Sequence, residues 1–265
     1  KSTPKKNALR THGVPVKLIK VTKPNNHPWP KALTLNFHYK GTVFESMPPG
    51  KESCVQLSGA SYFYPQETYN IRGNPRLITF ALTVNTESHW TAVSQGQPYA
   101  EISLPASKSK KKGPEIAEAR KTITWISTEP QEEIFLIADR FEKYSSEFGR
   151  IKLYAFLIDD DPFLANLYLK TAESYISFYE KLIGPYPYAK FALVENSRQT
   201  GYGMPSFTLL GSKIIRFPFI LHTSYPHEIL HNWWGNGVYI HPNSGNWSEG
   251  LTSYLSDHLM AELEG

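Results

Sequence analysis

The chain has 265 residues, of which 40% are hydrophobic and 14% aromatic, and this composition is sufficient for one large or two smaller packed cores. No apolar run approaches the roughly 18 uninterrupted residues that a membrane-spanning helix needs, so we expect no transmembrane segment. The single cysteine, Cys54, excludes an internal disulfide and a multi-thiolate zinc cluster. A metal ion would therefore need histidine and carboxylate ligands.

The formal net charge of +4 owes much to lysines at positions 108 and 110–112, which lie in a stretch rich in Ser, Gly and Pro. No aromatic residues alternate with these lysines, so the run predicts an exposed loop and no nucleic-acid partner. The chain begins with Lys1 and not with methionine, and we expect it to be part of a longer protein. The compartment and the oligomeric state are left open, with a periplasmic or secreted location slightly favoured over a cytoplasmic one.

The first part of the chain has the period-two hydrophobic pattern of half-buried strands. We expect strands at residues 33–39, 78–84, 99–104, 121–126, 133–138 and 151–158, which are separated by clusters of turn-forming residues. This pattern predicts an antiparallel β-domain over residues 1–160.

The hydrophobic spacing changes to three or four residues after Asp161, which predicts a helix from Pro162 to Leu182. Short apolar runs at 191–194 and 207–210 predict buried strands, and a second helix is expected from Tyr225 to Gly235. The fold class is therefore α+β, with a second domain over residues 161–265.

The second predicted helix contains the sequence His227-Glu228-Ile229-Leu230-His231. Side chains four residues apart project from one face of a helix, so the two imidazoles can converge on one metal ion, with Glu228 beside them. A catalytic zinc site needs a third protein ligand, and Glu249, at the start of a further predicted helix, supplies it.

Zinc at such a site lowers the pKa of a bound water, and Glu228 would act as the base that takes its proton during attack on a peptide carbonyl. Glu228 would then return the proton to the leaving amine. The competing interpretation is that the motif is a coincidence, with His227 and His231 simply packed in a helix. The downstream carboxylate and the predicted helix favour the metal site.

Two segments resemble the M1 family of zinc aminopeptidases, gluzincins that include alanyl aminopeptidase and leukotriene A4 hydrolase. Residues 227–236, HEILHNWWGN, are similar to the zinc helix of the family, and residues 247–251, WSEGL, to its third-ligand segment. Residues 184–188, GPYPY, extend the resemblance upstream. It implies a saddle-like N-terminal β-domain, a thermolysin-like catalytic domain truncated at its C-terminus, one Zn²⁺ ion and peptide substrates.

The sequence departs from the family pattern in three ways, of which two concern a loop length and a downstream tyrosine. The segment between His231 and Glu249 is one residue shorter than is usual, and Pro242 marks a turn where length can vary. The family also stabilises its tetrahedral intermediate with a tyrosine well downstream of the third ligand. We expect that group beyond Gly265.

The substrate strand is the third departure. The family uses a Gly-x-Met-Glu-Asn strand, whose backbone binds the peptide and whose glutamate holds the α-amine. Here Gly203, Met204 and Pro205 are the candidate substrate-binding residues, and Pro205 replaces the glutamate. Glu195 is a nearby carboxylate that could substitute for it, and an alternative interpretation gives the glycines only a turn role.

Three functions remain open at this point. The first is a zinc aminopeptidase that removes N-terminal residues. The second is a related hydrolase with a different specificity, because the amine anchor is replaced. The third is an idle scaffold used for binding, although a scaffold has no physical need for both histidines and both glutamates together.

Overall fold

The computed structural model describes residues 9–11, 14–22, 31–41, 54–67, 77–105, 107–108, 116–117, 119–241 and 243–264. The lysines at 110–112 and Pro242 lie outside these residues, so the loop predictions made for them are untested. The described part forms fifteen strands: β1 (Leu9–Thr11), β2 (Val14–Val16), β3 (Val55–Leu57), β4 (Ile78–Glu87), β5 (Thr91–Val93), β6 (Gln97–Leu104), β7 (Ser107–Lys108), β8 (Ile116–Ala117), β9 (Arg120–Gln131), β10 (Leu136–Asp139), β11 (Glu142–Phe148), β12 (Ile151–Leu157), β13 (Lys190–Asn196), β14 (Gly201–Met204) and β15 (Phe207–Gly211).

Helices are fewer and lie in the later part of the chain. They are α1 (Pro162–Leu182), α2 (Ser224–Leu230), α3 (Trp247–Ser253) and α4 (Leu259–Glu264), with a wider π-helical turn over Tyr254–His258 and 3₁₀ turns at Gly59–Ser61, Ile214–Arg216 and Pro218–Leu221. None of the helices in the described ranges is long and apolar enough to span a membrane. The molecule thus combines sheets with a small number of helices.

The early strands form small antiparallel sheets. Strand β9 lies between β4 and β6 in one sheet, and β10 lies between β3 and β5 in another. The predicted strands at 78–84, 99–104, 121–126 and 133–138 are confirmed, with bounds shifted by a few residues. Along β4 the side chains alternate between half-buried and exposed positions, as expected for a sheet with one covered face.

Residues 33–39 do not form the strand that was predicted for them. The described segment 31–41 is extended, but no strand of the described chain pairs with it. Leu33 and Leu35 are 52% and 48% exposed, and the Tyr39 hydroxyl donates to the Phe63 carbonyl at 2.8 Å. A period-two pattern predicts which face is apolar, but a strand also needs a neighbour that completes its hydrogen bonds.

The later strands form one mixed five-stranded sheet in the order β11-β12-β13-β15-β14. The pairs β12–β13 and β13–β15 are parallel, and the two outer pairs are antiparallel. Every residue of β13 is buried, because apolar clusters cover both faces of the sheet. This sheet is the rigid support on which the later helices pack.

The pairing of β12 with β13 crosses the boundary predicted between residues 160 and 161. A parallel pair needs a crossover connection, and α1 supplies it. The change from one sheet to the next falls between Asp139 and Glu142. The division into residues 1–160 and 161–265 therefore does not follow the sheets, and it stays a prediction about domains.

Helix α1 has the bounds predicted from its sequence. Asp161 caps it, because its Oδ1 accepts a hydrogen bond from the Leu164 amide at 2.9 Å, and Pro162 occupies the first turn. Its apolar face contributes seven buried residues to the core: Leu164, Ala165, Tyr168, Leu169, Ala172, Ile176 and Tyr179. This face packs against β12 and α2, which carries the candidate site.

Candidate metal centre

Helix α2 and the residue after it place the side chains of His227 and His231 close together. Tyr225 and Ile229, 1% and 0% exposed, hold the helix in the core. The helix ends at Leu230 and not at Gly235 as predicted, because the amides of Asn232 and Trp233 bond to carbonyls three residues back instead of four. The turn is completed at Gly235, which has a φ of 94° and donates its amide to the Val238 carbonyl. The His231 amide still donates to the His227 carbonyl, so the two imidazoles keep their one-turn relation.

The imidazoles of His227 and His231 converge with the carboxylate of Glu249, which lies at the start of α3. The two Nε2 atoms are 3.2 Å apart. Glu249 Oε2 lies 3.4 Å from His227 Nε2, and its Oε1 lies 3.3 Å from His231 Nε2. Among the described residues, these three side chains form a group whose potential ligand atoms all lie within 4.8 Å of one another.

These separations fit a tetrahedral zinc ion. Ligand atoms about 2.0–2.1 Å from zinc at tetrahedral angles lie about 3.3 Å from one another. The two imidazole nitrogens are 3.2 Å apart, and each lies near a different oxygen of the Glu249 carboxylate, Oε2 at 3.4 Å from His227 and Oε1 at 3.3 Å from His231. Two imidazoles and one carboxylate also match the donor set of catalytic zinc sites, which leave the fourth position for water or substrate.

His231 is held in the tautomer that a metal ligand requires. Its Nδ1 lies 3.3 Å from the Trp234 carbonyl, which can only accept, so Nδ1 carries the proton and Nε2 presents its lone pair. Burial lowers the pKa of His231, against the raising effect of Glu249. A neutral imidazole with a free Nε2 is the form that binds zinc.

Glu228 lies beside the histidines, against the edge strand β14. Burial and the negative charge of Glu249 raise the pKa of Glu228 to about 7. A Cβ built on Gly203 would lie 2.7 Å from Glu228 Oε2, and one on Gly201 would lie 3.3 Å from Oε1. The two glycines therefore give the carboxylate its space, which a turn role alone does not require.

The three candidate substrate-binding residues lie at the end of β14. Gly203 faces Glu228, whereas the Met204 side chain is buried in the apolar core and is not directed to the histidines. Pro205 begins the two-residue loop to β15. Gly203 and Pro205 both line a small cavity of about 100 Å³.

Two acidic residues that were not predicted from the sequence line this cavity. Glu132 and Glu133 line it together with Gly203, Pro205 and Asn236. Burial raises the pKa of both carboxyls, and for Glu132 the charge of Glu133 adds to the effect. The pair follows β9 and comes to this place through the tertiary fold, so no local motif identifies it.

Glu195 does not reach the candidate site. Its two carboxylate oxygens are occupied, one by the Ile158 amide at 2.8 Å and the other by Arg216 at 2.8 Å. Glu195 is 2% exposed, and the ion pair with Arg216 explains how a buried charge is tolerated there. The suggestion that Glu195 replaces the missing amine anchor is therefore wrong.

Two further polar residues near the site were not singled out from the sequence. Asn232 and Ser206 are both 0% exposed, and the Ser206 amide donates to Asn232 Oδ1 at 2.8 Å. The only sequence signal for Asn232 is a polar residue directly after the zinc motif. Ser206 carries no signal of its own.

Comparisons with known proteins indicate the fold of this chain but do not establish its activity. No family model matches the sequence, and no curated protein matches it. Among solved structures, the chain is similar to the M1 zinc metallopeptidase from Deinococcus radiodurans, at 17% identity and a TM-score of 0.53, over 72% of this chain and 42% of that one.

Two related structures give the same result. A mutant of the Deinococcus radiodurans enzyme matches at 16% identity with a TM-score of 0.52, and a two-domain M1 zinc metallopeptidase mutant bound to L-arginine matches at 16% identity with a TM-score of 0.51. In each case 72% of this chain covers 42% of the other. The chain thus spans less than half the length of these enzymes, and at this identity the likeness shows a shared fold.

Proposed function

We propose that this chain carries the metal centre of an M1-type zinc metallopeptidase that removes N-terminal residues from peptides. In this proposal the later sheet and helices belong to a thermolysin-like catalytic domain. His227, His231 and Glu249 hold one Zn²⁺ ion, and Glu228 is the catalytic base. Gly203, Met204 and Pro205 bind the substrate backbone.

One observation carries the proposal. Two imidazole nitrogens 3.2 Å apart converge with the Glu249 carboxylate, the donor set of a catalytic zinc site, and a buried carboxylate with a pKa of about 7 lies beside them. A chance pair of helical histidines has no reason to place a third ligand and a general base in the same space. The likeness to zinc metallopeptidase structures supports the same conclusion.

The chain's own residues supply the proton transfers. Zinc bound here would polarise a peptide carbonyl and lower the pKa of a water molecule. Glu228 accepts the proton from the attacking water and delivers it to the leaving amine. Its carboxylate suits both transfers, because a pKa near the working pH lets one group act as base and then as acid.

The acidic cavity favours an aminopeptidase over other specificities. Pro205 offers no charge for the α-amine of a peptide, but Glu132 and Glu133 line the same cavity as Gly203 and Pro205. A peptide running along β14 would direct its amino terminus toward these carboxyls. Their carboxyl oxygens would accept hydrogen bonds from the α-amine, a role that Pro205 cannot fill.

The central test combines metal analysis with a Glu228→Gln substitution in the full-length protein. We expect one zinc per chain in both proteins and a loss of turnover of about 10²- to 10⁴-fold in the variant. Glu173→Gln, on the exposed side of α1, is the matched control and should retain activity. Absence of zinc from the wild type, or an active Glu228→Gln variant, would sink the proposal.

The specificity is tested with free and N-acetylated forms of one peptide. We expect the wild type to cleave the free form, and the double substitution of Glu132 and Glu133 to Gln to raise KM for that form about tenfold or more, because a charged hydrogen bond is lost. Equal cleavage of both forms by the wild type would exclude the aminopeptidase and favour the second hydrolase function.

A further inference from the structure

The loop after the candidate substrate strand holds a residue in an unusual conformation. Pro205 and Ser206 connect β14 to β15, and Ser206 has a φ of 67°. Residues other than glycine rarely adopt a left-handed φ, and they keep it when surrounding contacts enforce it. The contacts of Ser206 therefore indicate what holds the end of the strand in place.

Each polar group of Ser206 has a partner in the described structure. Its Oγ accepts from the Gly96 amide at 3.1 Å, and its carbonyl accepts from the Ala192 amide at 3.1 Å and from Lys190 Nζ at 3.4 Å. These contacts fix Ser206 to β13 and to the early strands. Its amide is the remaining group, and it donates to Asn232 Oδ1 at 2.8 Å.

Asn232 is fixed on the other side to the zinc helix. Its Nδ2 donates to the Ile229 carbonyl at 2.9 Å, in the last turn of α2. The Tyr186 hydroxyl lies 3.1 Å from Asn232 Oδ1 and 3.1 Å from the Lys190 carbonyl. The bond between Ser206 and Asn232 thus joins the end of β14 to the segment that contains His227, Glu228 and His231.

The strand and the helix are also in close contact along their length. A Cβ on Gly203 would lie 2.7 Å from Glu228 Oε2 and 3.0 Å from His231 Cβ, and Asn236 Nδ2 donates to the Gly203 carbonyl at 3.3 Å. A small rotation of β14 would therefore change the distance from a bound peptide to the metal and to Glu228.

We propose that Asn232 is a positioning residue, which sets the distance between the substrate strand and the metal centre through its hydrogen bond to the Ser206 amide. This role rests on the proposed peptidase site and deepens it. Asn232 touches neither metal nor substrate in this assignment. It acts through β14, because misplacement of a bound substrate by about 1 Å can reduce turnover about 100-fold.

The test uses two metal-binding probes in the full-length zinc protein. Acetohydroxamate reaches only the metal, whereas dialanine hydroxamate also lies along the substrate strand. For Asn232→Ala we expect unchanged zinc content, an acetohydroxamate Kd within about twofold of the wild type, and a dialanine hydroxamate Kd weakened at least tenfold, with kcat/KM falling in parallel. Equal weakening of both probes, or of neither, would overturn the role.

Two further variants separate positioning from general stability. Asn232→Asp keeps an Oδ acceptor for the Ser206 amide, so it should recover most of the dialanine hydroxamate binding. Tyr186→Phe removes a buried hydroxyl from the same Asn232 oxygen and leaves the Ser206 bond intact. It should lower thermal stability without separating the two probes, and a separation as large as that of Asn232→Ala would contradict the proposal.

The peptidase activity and the positioning role fail in different ways. If the wild type cleaves no peptide while the two probes still separate Asn232→Ala from the wild type, the proposed function fails and the positioning role stands. If the wild type cleaves peptides and Asn232→Ala matches it with both probes, the function stands and the positioning role is wrong.

Discussion

Strand β4 of the early sheets and strand β13 at the centre of the mixed sheet differ in how completely they are covered. Along β4 the positions alternate between half-buried and exposed, whereas every position of β13 is buried. The two histidines of the metal centre lie beside the mixed sheet, where α1 and this sheet pack against α2. A site whose ligands must converge within tenths of an ångström is built on the more rigid region.

The early strands also contribute to the site, through a few polar contacts. Lys190 Nζ donates to the Ser94 carbonyl at 2.8 Å, and the Gly96 amide donates to Ser206 Oγ. The Tyr239 hydroxyl donates to the Pro130 carbonyl at 2.6 Å, close to the acidic cavity. The early strands therefore support the substrate strand from one side without forming the metal ligands.

The largest effect is expected from removing a ligand of the metal centre. Glu249→Ala leaves two imidazoles and should lose stoichiometric zinc, with a loss of activity greater than the 10- to 100-fold that is typical of outer-shell partners. Metal analysis after gel filtration and a peptide-cleavage assay measure both. Glu262→Ala, an exposed carboxylate in α4, should retain zinc and activity. A Glu249→Ala protein that kept its zinc would show that another residue completes the site.

Core truncations in the two regions should differ in their effect on stability. Leu193 is 0% exposed in β13, and Leu193→Ala should lower the free energy of unfolding by about 2–5 kcal/mol. Leu35 is 48% exposed, and Leu35→Ala should change the free energy of unfolding by less than about 0.5 kcal/mol. Urea unfolding of both variants measures the difference. Similar values would mean that the early segment is covered in solution.

A smaller effect is expected where the substrate strand contacts the helix. Gly203→Ala places a methyl group 2.7 Å from Glu228 Oε2, so the base must shift, and we expect kcat to fall about tenfold, about 1.4 kcal/mol. Zinc content should stay at one per chain. Gly41→Ala is the control, because a Cβ there meets no atom of the described residues within 4 Å. An unchanged kcat in Gly203→Ala would mean that the strand can move away from Glu228.

Lys190, in β13, connects the later sheet to the early strands through the Ser94 carbonyl. Lys190 is 0% exposed, and burial lowers its pKa well below the ordinary value of 10.5. Between the lowered pKa and 10.5 the unfolded chain binds more protons, so stability rises with pH over that window. Compared with Lys190→Met, the wild type should gain free energy of unfolding between pH 7 and about pH 10. If the free energies of unfolding of the wild type and of Lys190→Met change in parallel with pH, Lys190 stays protonated in the folded protein.

The sequence was most informative where the chemistry is local. The pairing of His227 with His231 follows from helical spacing, Glu249 follows from the need for a third ligand and from the WSEGL resemblance, and α1 follows from its periodicity and its cap. Contacts between distant segments were not predictable in this way. Ser206 and Asn232 are 26 positions apart, and nothing in either segment indicates that they meet.

The misassigned strands show the same limit. Residues 33–39 have the alternating pattern but no partner among the described strands, whereas β11, Glu142–Phe148, has a polar sequence and pairs with β12 along its full length. The parallel order of β12, β13 and β15 depends on how α1 crosses the sheet. Periodicity describes the faces of a segment, but its neighbours are decided by packing.

The origin of the third ligand has a consequence for how a metal ion leaves the site. His227 and His231 lie one helical turn apart in the same segment. Glu249 lies in the first turn of α3, and its side chain is 49% exposed. The exchange rate of a bound ion would then depend on how often α3 moves away, and its equilibrium affinity on all three ligands together. Substitutions in the loop before Trp247 should therefore change how fast zinc exchanges more than how tightly it is held.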